Sequence, residues 1–349
     1  MSAHTTAVRS VGSTLQFSPV EGLFAVFEWV LTDVYGAGMD LLADLLGIQM
    51  LGYPYMQRAY LAAVCIGVIG PLVGTFLVHR ELSMLSDTLA HTAFAGVAVG
   101  LFLNATFSVS LSPLATAFVV AVGTALLVEL LIDYAGAYSD TSLAIVLTGG
   151  FAVGSVLITA TDGGIAIGIN AYLFGSLATV SKANVGLLVF MSLLIGSLVA
   201  VAYRPLLYVT VDATAARAAR LNVRLYKRLM VVLTALVVVS AMQIMGVILV
   251  AAMLVVPVAA AALVARSFKQ SILLAILAAE FAAIVGVTIS YRYGLAAGGS
   301  IVLAAIGVYT TVLIAEKLTN GVVFLTRQRS PGQVDQSASK IKADGGDEE

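Results

Sequence analysis

The chain has 349 residues, of which 60% are hydrophobic and 11% charged, with a net charge of -1 and a mean hydropathy of +1.03. That balance excludes an ordinary soluble domain and gives no basic footprint for nucleic acid; it describes an all-α polytopic membrane protein. The single cysteine, Cys65, has no internal disulfide partner and reads as a small packing residue.

Residues 1–18 are polar and lack the long apolar core of a cleavable signal peptide. Residues 21–51 are apolar but carry Glu21, Glu28, Asp33, Asp40 and Asp44, a pattern that predicts an amphipathic helix lying at the membrane interface rather than a span. Residues 1–52 therefore form a polar and interfacial N-terminal segment. A membrane domain over 53–317 follows. Apolar runs long enough to cross a bilayer lie near 59–79, 85–103, 114–135, 141–159, 183–203, 228–243, 246–265, 270–290 and 298–316. Gln243, Gly246 and Pro257 interrupt the stretch 228–265, so the count is eight or nine.

The segment 204–228 carries Arg204, Arg217, Arg220, Arg224, Lys227 and Arg228 and is predicted to be cytoplasmic. With nine spans, the turn at 79–84, the loop at 266–269 and the tail containing Lys317, Arg327 and Arg329 also fall inside. The loop 104–113 and the Gly-rich segment 160–181 then fall outside, the latter as a re-entrant or interfacial piece. Residues 318–349 form a polar cytoplasmic tail, predicted to be disordered from 330.

Asp87 and His91 bring two metal-ligand types into an apolar stretch, four positions apart and so on one helical face. Asp87 also suits a helix start, and His91 a neutral histidine bonded to a neighbouring span. An ionisable residue inside a span nevertheless marks a pathway or site by default. Glu129 and Asp133 repeat the spacing near the cytoplasmic end of their span and read as interfacial groups in water, with a second ion station as the alternative. Glu280 lies deeper, among Ala278, Ala279, Phe281 and Ala282. Ser139 and Asp140 suit a helix cap. Met242, Met245 and Met253 read as packing rather than copper ligands. No Gly-x-x-x-x-Gly-Lys-Ser/Thr loop occurs, so ATP-driven work would need a second subunit docking on the cytoplasmic side. The Ala-rich, basic stretch 212–223 is helix-forming and suits that docking.

Taken in order, several short motifs resemble the permease subunits of ABC transporters for zinc, manganese and iron ions. They begin at Tyr53-Pro54-Tyr55-Met56-Gln57-Arg58-Ala59 and continue through Arg80, Asp87-x-x-x-His91 and Gly96. Ser139-Asp140-Thr141, Gly154 and Tyr172-Leu173-Phe174-Gly175 come next. Tyr203-Arg204, Asp212-x-x-x-Ala216-Arg217, Gly246 to Val250 and Leu254 to Pro257 follow. Ser290-Tyr291 with Gly298 or Gly299 closes the match. Each piece is short, and the specificity lies in their order over 53–317. Ser86 replaces a usual glycine, as do residues around Arg220-Leu221; Ala296-Ala297 lacks a usual proline, and Ser176 an acidic residue.

The resemblance implies an importer permease that is not itself an enzyme and holds no permanent cofactor. It further implies a second copy of the chain, cytoplasmic ATPase subunits that bind the ATP, and an extracytoplasmic metal-binding protein. Asp87 and His91 would ligate the transported divalent ion, with Glu280 a further candidate. Asp212, Ala216, Arg217 and Arg220 would couple to the ATPase. Two rival readings remain: a proton- or ion-coupled secondary transporter, and an ABC permease for siderophores or cobalamin.

Overall fold

A computed structural model of the chain describes residues 30–107, 109–135, 139–160, 172–175 and 181–328. Packing divides the chain into two compact units, 1–58 and 59–349. In the first, a π-helical turn over Val30–Gly36 leads into α1 (Ala37–Leu46), which exposes Leu41, Leu42 and Leu45. Asp40 accepts a hydrogen bond from the Gln57 side chain at 2.7 Å. The helix is about 15 Å long, too short to cross a bilayer. The amphipathic segment expected over 21–51 begins outside the described residues, which start at 30.

Nine helices among the described residues are long and apolar enough to cross a membrane. They are α2 (Pro54–Val78), α3 (Met84–Phe107), α4 (Pro113–Ala135), α5 (Ser139–Thr159) and α6 (Lys182–Val211). After a short α7 (Ala213–Ala218) come α8 (Val223–Met245), α9 (Val247–Val264), α10 (Phe268–Tyr293) and α11 (Ala297–Gln328). Gly246 decides between eight spans and nine. Its φ of 83° and ψ of 156° lie where only glycine sits comfortably, and its N–H closes α8 on the Met242 carbonyl at 2.9 Å. Pro257 stays inside α9 and does not end it.

Helix α3 packs against α4, α5, α8 and α9, which places it in the middle of the bundle. The spans of α2, α3, α8 and α9 are more than half buried, whereas those of α4, α5, α6, α10 and α11 are buried by a third or less. Apolar side chains on the second group therefore face outward, as bilayer contact or subunit contact requires. Helix α6 runs 30 residues, about 45 Å, through Pro205 and beyond its predicted span end at 203. That length exceeds the roughly 30 Å apolar core of a bilayer by about 15 Å. Helix α11 continues to Gln328, and the tail from 329 lies outside the described residues.

Candidate functional site

Asp87 occupies the first turn of α3, where the helix dipole favours a negative side chain. His91 lies one turn on, about 10 Å from the helix start. Its Nε2 is 3.5 Å from Asp87 Oδ1, and about half of the Asp87 side chain is exposed. The other ring nitrogen, Nδ1, is buried without a hydrogen-bond partner. Phe151 of α5 meets the imidazole edge-on at 5.5 Å and also stacks on Phe94.

Helix α5 approaches closely because its facing residues are small. A Cβ at Gly150 would come within 2.6 Å of Thr92, and one at Gly154 within 3.1 Å of the Phe94 ring. Thr88 donates across the same contact to the Leu143 carbonyl at 3.2 Å. Ser86 is accommodated by donating to the Ser83 carbonyl at 2.9 Å. Small residues and one interhelical hydrogen bond thus hold the His91 face of α3 in place.

An ion about 2.1 Å from a carboxylate oxygen and an imidazole nitrogen, at a tetrahedral angle, separates them by about 3.4 Å. The observed spacing matches that requirement closely. Two donors do not complete a coordination shell, however, and among the described residues no three His, Cys, Asp or Glu side chains converge.

Glu280 stands apart from this pair. Its carboxyl from α10 fits into the notch at Gly67 of α2, where a Cβ would lie 2.7 Å from Oε1, and that oxygen has no hydrogen-bond partner. Glu129 is 8% exposed and accepts from Arg228 Nε at 3.2 Å, joining α4 to α8. It is not the water-facing interfacial group expected from the sequence; burial against α8 makes it the partner of a cation 99 positions away. Burial lowers the pKa of the nearby Arg80, while the charge of Glu129 acts in the opposite direction. The Asp133 side chain lies outside those described. Asp140 sits exposed in the first turn of α5.

The predicted docking helix over 212–223 is shorter than expected, because residue geometry stops it after Ala218. Asp212 ends α6 and begins α7, its Oδ1 accepting from the N–H groups of Thr214 at 2.7 Å and Ala215 at 2.9 Å. These bonds hold its carboxyl below the usual carboxylate range. Arg220 then adopts φ +60°, Leu221 N–H reaches the Ala216 carbonyl at 3.0 Å and Arg220 N–H the Arg217 carbonyl at 3.0 Å. This is a left-handed helix stop built without glycine. Ala216 is buried with Val209 and Val223, while Arg217 and Arg220 are exposed.

Scattered sequence motifs meet at the opposite helix ends. A Cβ at Gly246 would strike Gly175 N at 2.5 Å, and one at Gly298 would lie 2.8 Å from the Met245 carbonyl and 2.9 Å from that of Phe174. The 172–175 piece therefore seats directly on the α8–α9 break and the start of α11. Neither this junction nor the Phe151 contact was identifiable from sequence; helical spacing on α5 and the isolated glycines were the available signals.

Residues 52–316 match the model of the ABC 3 transport family. The chain is 33% identical over 263 residues to the manganese transport system membrane protein MntC of Halalkalibacterium halodurans, covering 74% of this chain and 86% of that one. It is 27% identical to a probable iron transport system membrane protein of Haemophilus influenzae, covering 78% of this chain and 97% of that one. Among solved structures, PsaBC from Streptococcus pneumoniae in complex with Fab superposes with a TM-score of 0.68 and 28% identity, over 78% of this chain and 95% of that one.

Proposed function

The chain belongs to the ABC 3 transport family, and from that premise we propose that it is the membrane permease of an ATP-driven importer of a divalent transition-metal ion. Manganese is the favoured cargo, with iron next, because the relatives above are described as manganese and iron transport proteins. The ligand set itself accepts zinc as well.

The observation that carries this reading is the Asp87–His91 spacing of 3.5 Å without a third ligand in the same chain. A two-fold pair of permeases supplies two carboxylates and two imidazoles around one ion, a full shell of oxygen and nitrogen donors. Each half-site lies near the end of α3 adjoining the turn 79–83, which the positive-inside topology assigns to the cytoplasm. The ion is cargo, held in transit.

Helix α7 supplies the mechanical link. It projects on the extension of α6, is capped by Asp212, and is pinned by Ala216 against Val209 and Val223. A displacement of α7 by an ATPase subunit is thus transmitted to α6 and α8, and α8 packs on α3. Alternating access follows when that movement changes which side of the membrane the half-sites face. An extracytoplasmic binding protein would deliver the ion on the other side.

Reconstitution in liposomes with the cognate ATPase and binding protein tests the proposal. ATP-dependent manganese uptake is expected, with a loss of at least tenfold for Asp87→Ala or His91→Ala. Uptake driven by a proton gradient without any ATPase would overturn it in favour of secondary transport. Unchanged uptake in both variants would overturn the site assignment.

A further inference from the structure

A cavity of about 1350 Å³ opens between α4, the end of α7 and the start of α8. Among the described residues, the cations Arg217, Arg224, Lys227 and Arg228 line it together with the carboxylate of Glu129, which pairs with Arg228. The N-terminus of α8 also opens into it, with its partial positive charge. The opposite wall is apolar: Leu126, Leu127 and Leu130.

That wall is the end of a longer stripe. Val119, Leu126, Leu127 and Leu130 are 70%, 42%, 50% and 54% exposed. At 100° per residue they fall within an arc of about 100° on α4. The occupant suited to this arrangement is therefore amphipathic, with an anionic head and an apolar tail. A free anion would leave the leucines uncovered, and a polar protein surface docking on α7 would do the same.

We propose that the cavity seats an anionic phospholipid from the adjoining leaflet. Its phosphate lies against Arg224 and Lys227 at the α8 N-terminus, and an acyl chain runs along the α4 stripe. Basic pockets between spans at a membrane face recognise anionic headgroups in this way. Seated there, the lipid braces the α7–α8 turn against α4, so the coupling segment is set partly by lipid composition.

The test places the full-length permease, assembled with its ATPase, in nanodiscs containing phosphatidylcholine and spin-labelled phosphatidylglycerol. An immobilised phosphatidylglycerol component is expected, and Arg224→Ala with Lys227→Ala should weaken its retention about thirtyfold, the effect of removing two interfacial cations. The charge-conserving pair Arg224→Lys with Lys227→Arg should retain it, which separates lost charge from misfolding. Equal retention of spin-labelled phosphatidylcholine would overturn the proposal, as would displacement of the lipid by inorganic phosphate. Protection of Leu127→Cys from maleimide by the ATPase or by a second permease, in lipid-free detergent, would overturn it in favour of that protein partner.

Discussion

Glu81 and Arg220 adopt φ +60°, the left-handed conformation that glycine enters without strain. Glu81 closes the end of α2 as Arg220 closes α7, since Leu82 N–H reaches the Leu77 carbonyl at 3.0 Å and Glu81 N–H that of Val78 at 3.1 Å. Glu81→Gly should therefore stabilise the protein by about 1 kcal/mol, read as a higher thermal midpoint in detergent. A lower midpoint would mean that the Glu81 side chain contributes more than the backbone strain costs. The replacement of a usual glycine near Arg220 has the same explanation: the turn remains and the strain is tolerated. Asp212 makes the second prediction at this scale. Its carboxyl is held low by two backbone N–H groups, so the stability it gives α7 is present above the ordinary aspartate range and is lost as pH falls through the lowered value. Amide protection at Thr214 and Ala215, corrected for intrinsic exchange, should stay level from neutral pH to about pH 5 and fall below about pH 4. Asp212→Asn should remove most of that dependence.

Among elements, α4 and α8 are joined by Glu129 and Arg228. Arg228→Ala strands a buried carboxylate, which costs about 1–3 kcal/mol, whereas Glu129→Gln leaves a neutral group beside a half-exposed cation and should cost less. Thermal midpoints of the two variants, measured side by side, check the order. This pair also separates what the sequence reveals from what it does not. Spans are legible because a bilayer demands some twenty apolar residues, and Gly246 marks the α8–α9 break for a local reason, its backbone angles. The Asp87–His91 pair is legible because helical periodicity alone brings positions four apart together. Glu129 and Arg228 lie 99 positions apart, and Gly175, Gly246 and Gly298 meet only through packing, so no local pattern predicts either contact. The length of α7 escapes for another reason. Its Ala-rich composition favours continuing the helix, but burial of Ala216 and Leu221 against Val209 and Val223 rewards a stop.

At the scale of the molecule, stoichiometry separates a half-site from a complete one. In the proposed site, Asp87 and His91, 3.5 Å apart, would give one chain two donors, with no third His, Cys, Asp or Glu beside them among the described residues. Solvent can fill the remaining positions, but bound water provides neither the affinity nor the two-sided enclosure that selective passage through a membrane needs. A shared site therefore predicts one manganese ion per two permease chains, measured by metal content after rapid desalting of the assembled transporter. A fused dimer with His91→Ala in one half retains three donors and should bind more weakly than the parent yet more tightly than the doubly substituted form. A one-to-one ratio of ion to chain, or a singly substituted dimer as tight as the parent, would mean that each chain completes its own site and that the two-fold arrangement serves coupling alone. The graded order follows from ligand number, since each lost imidazole removes one bond from the same ion, and only a shared ion makes the two halves feel each other's substitutions.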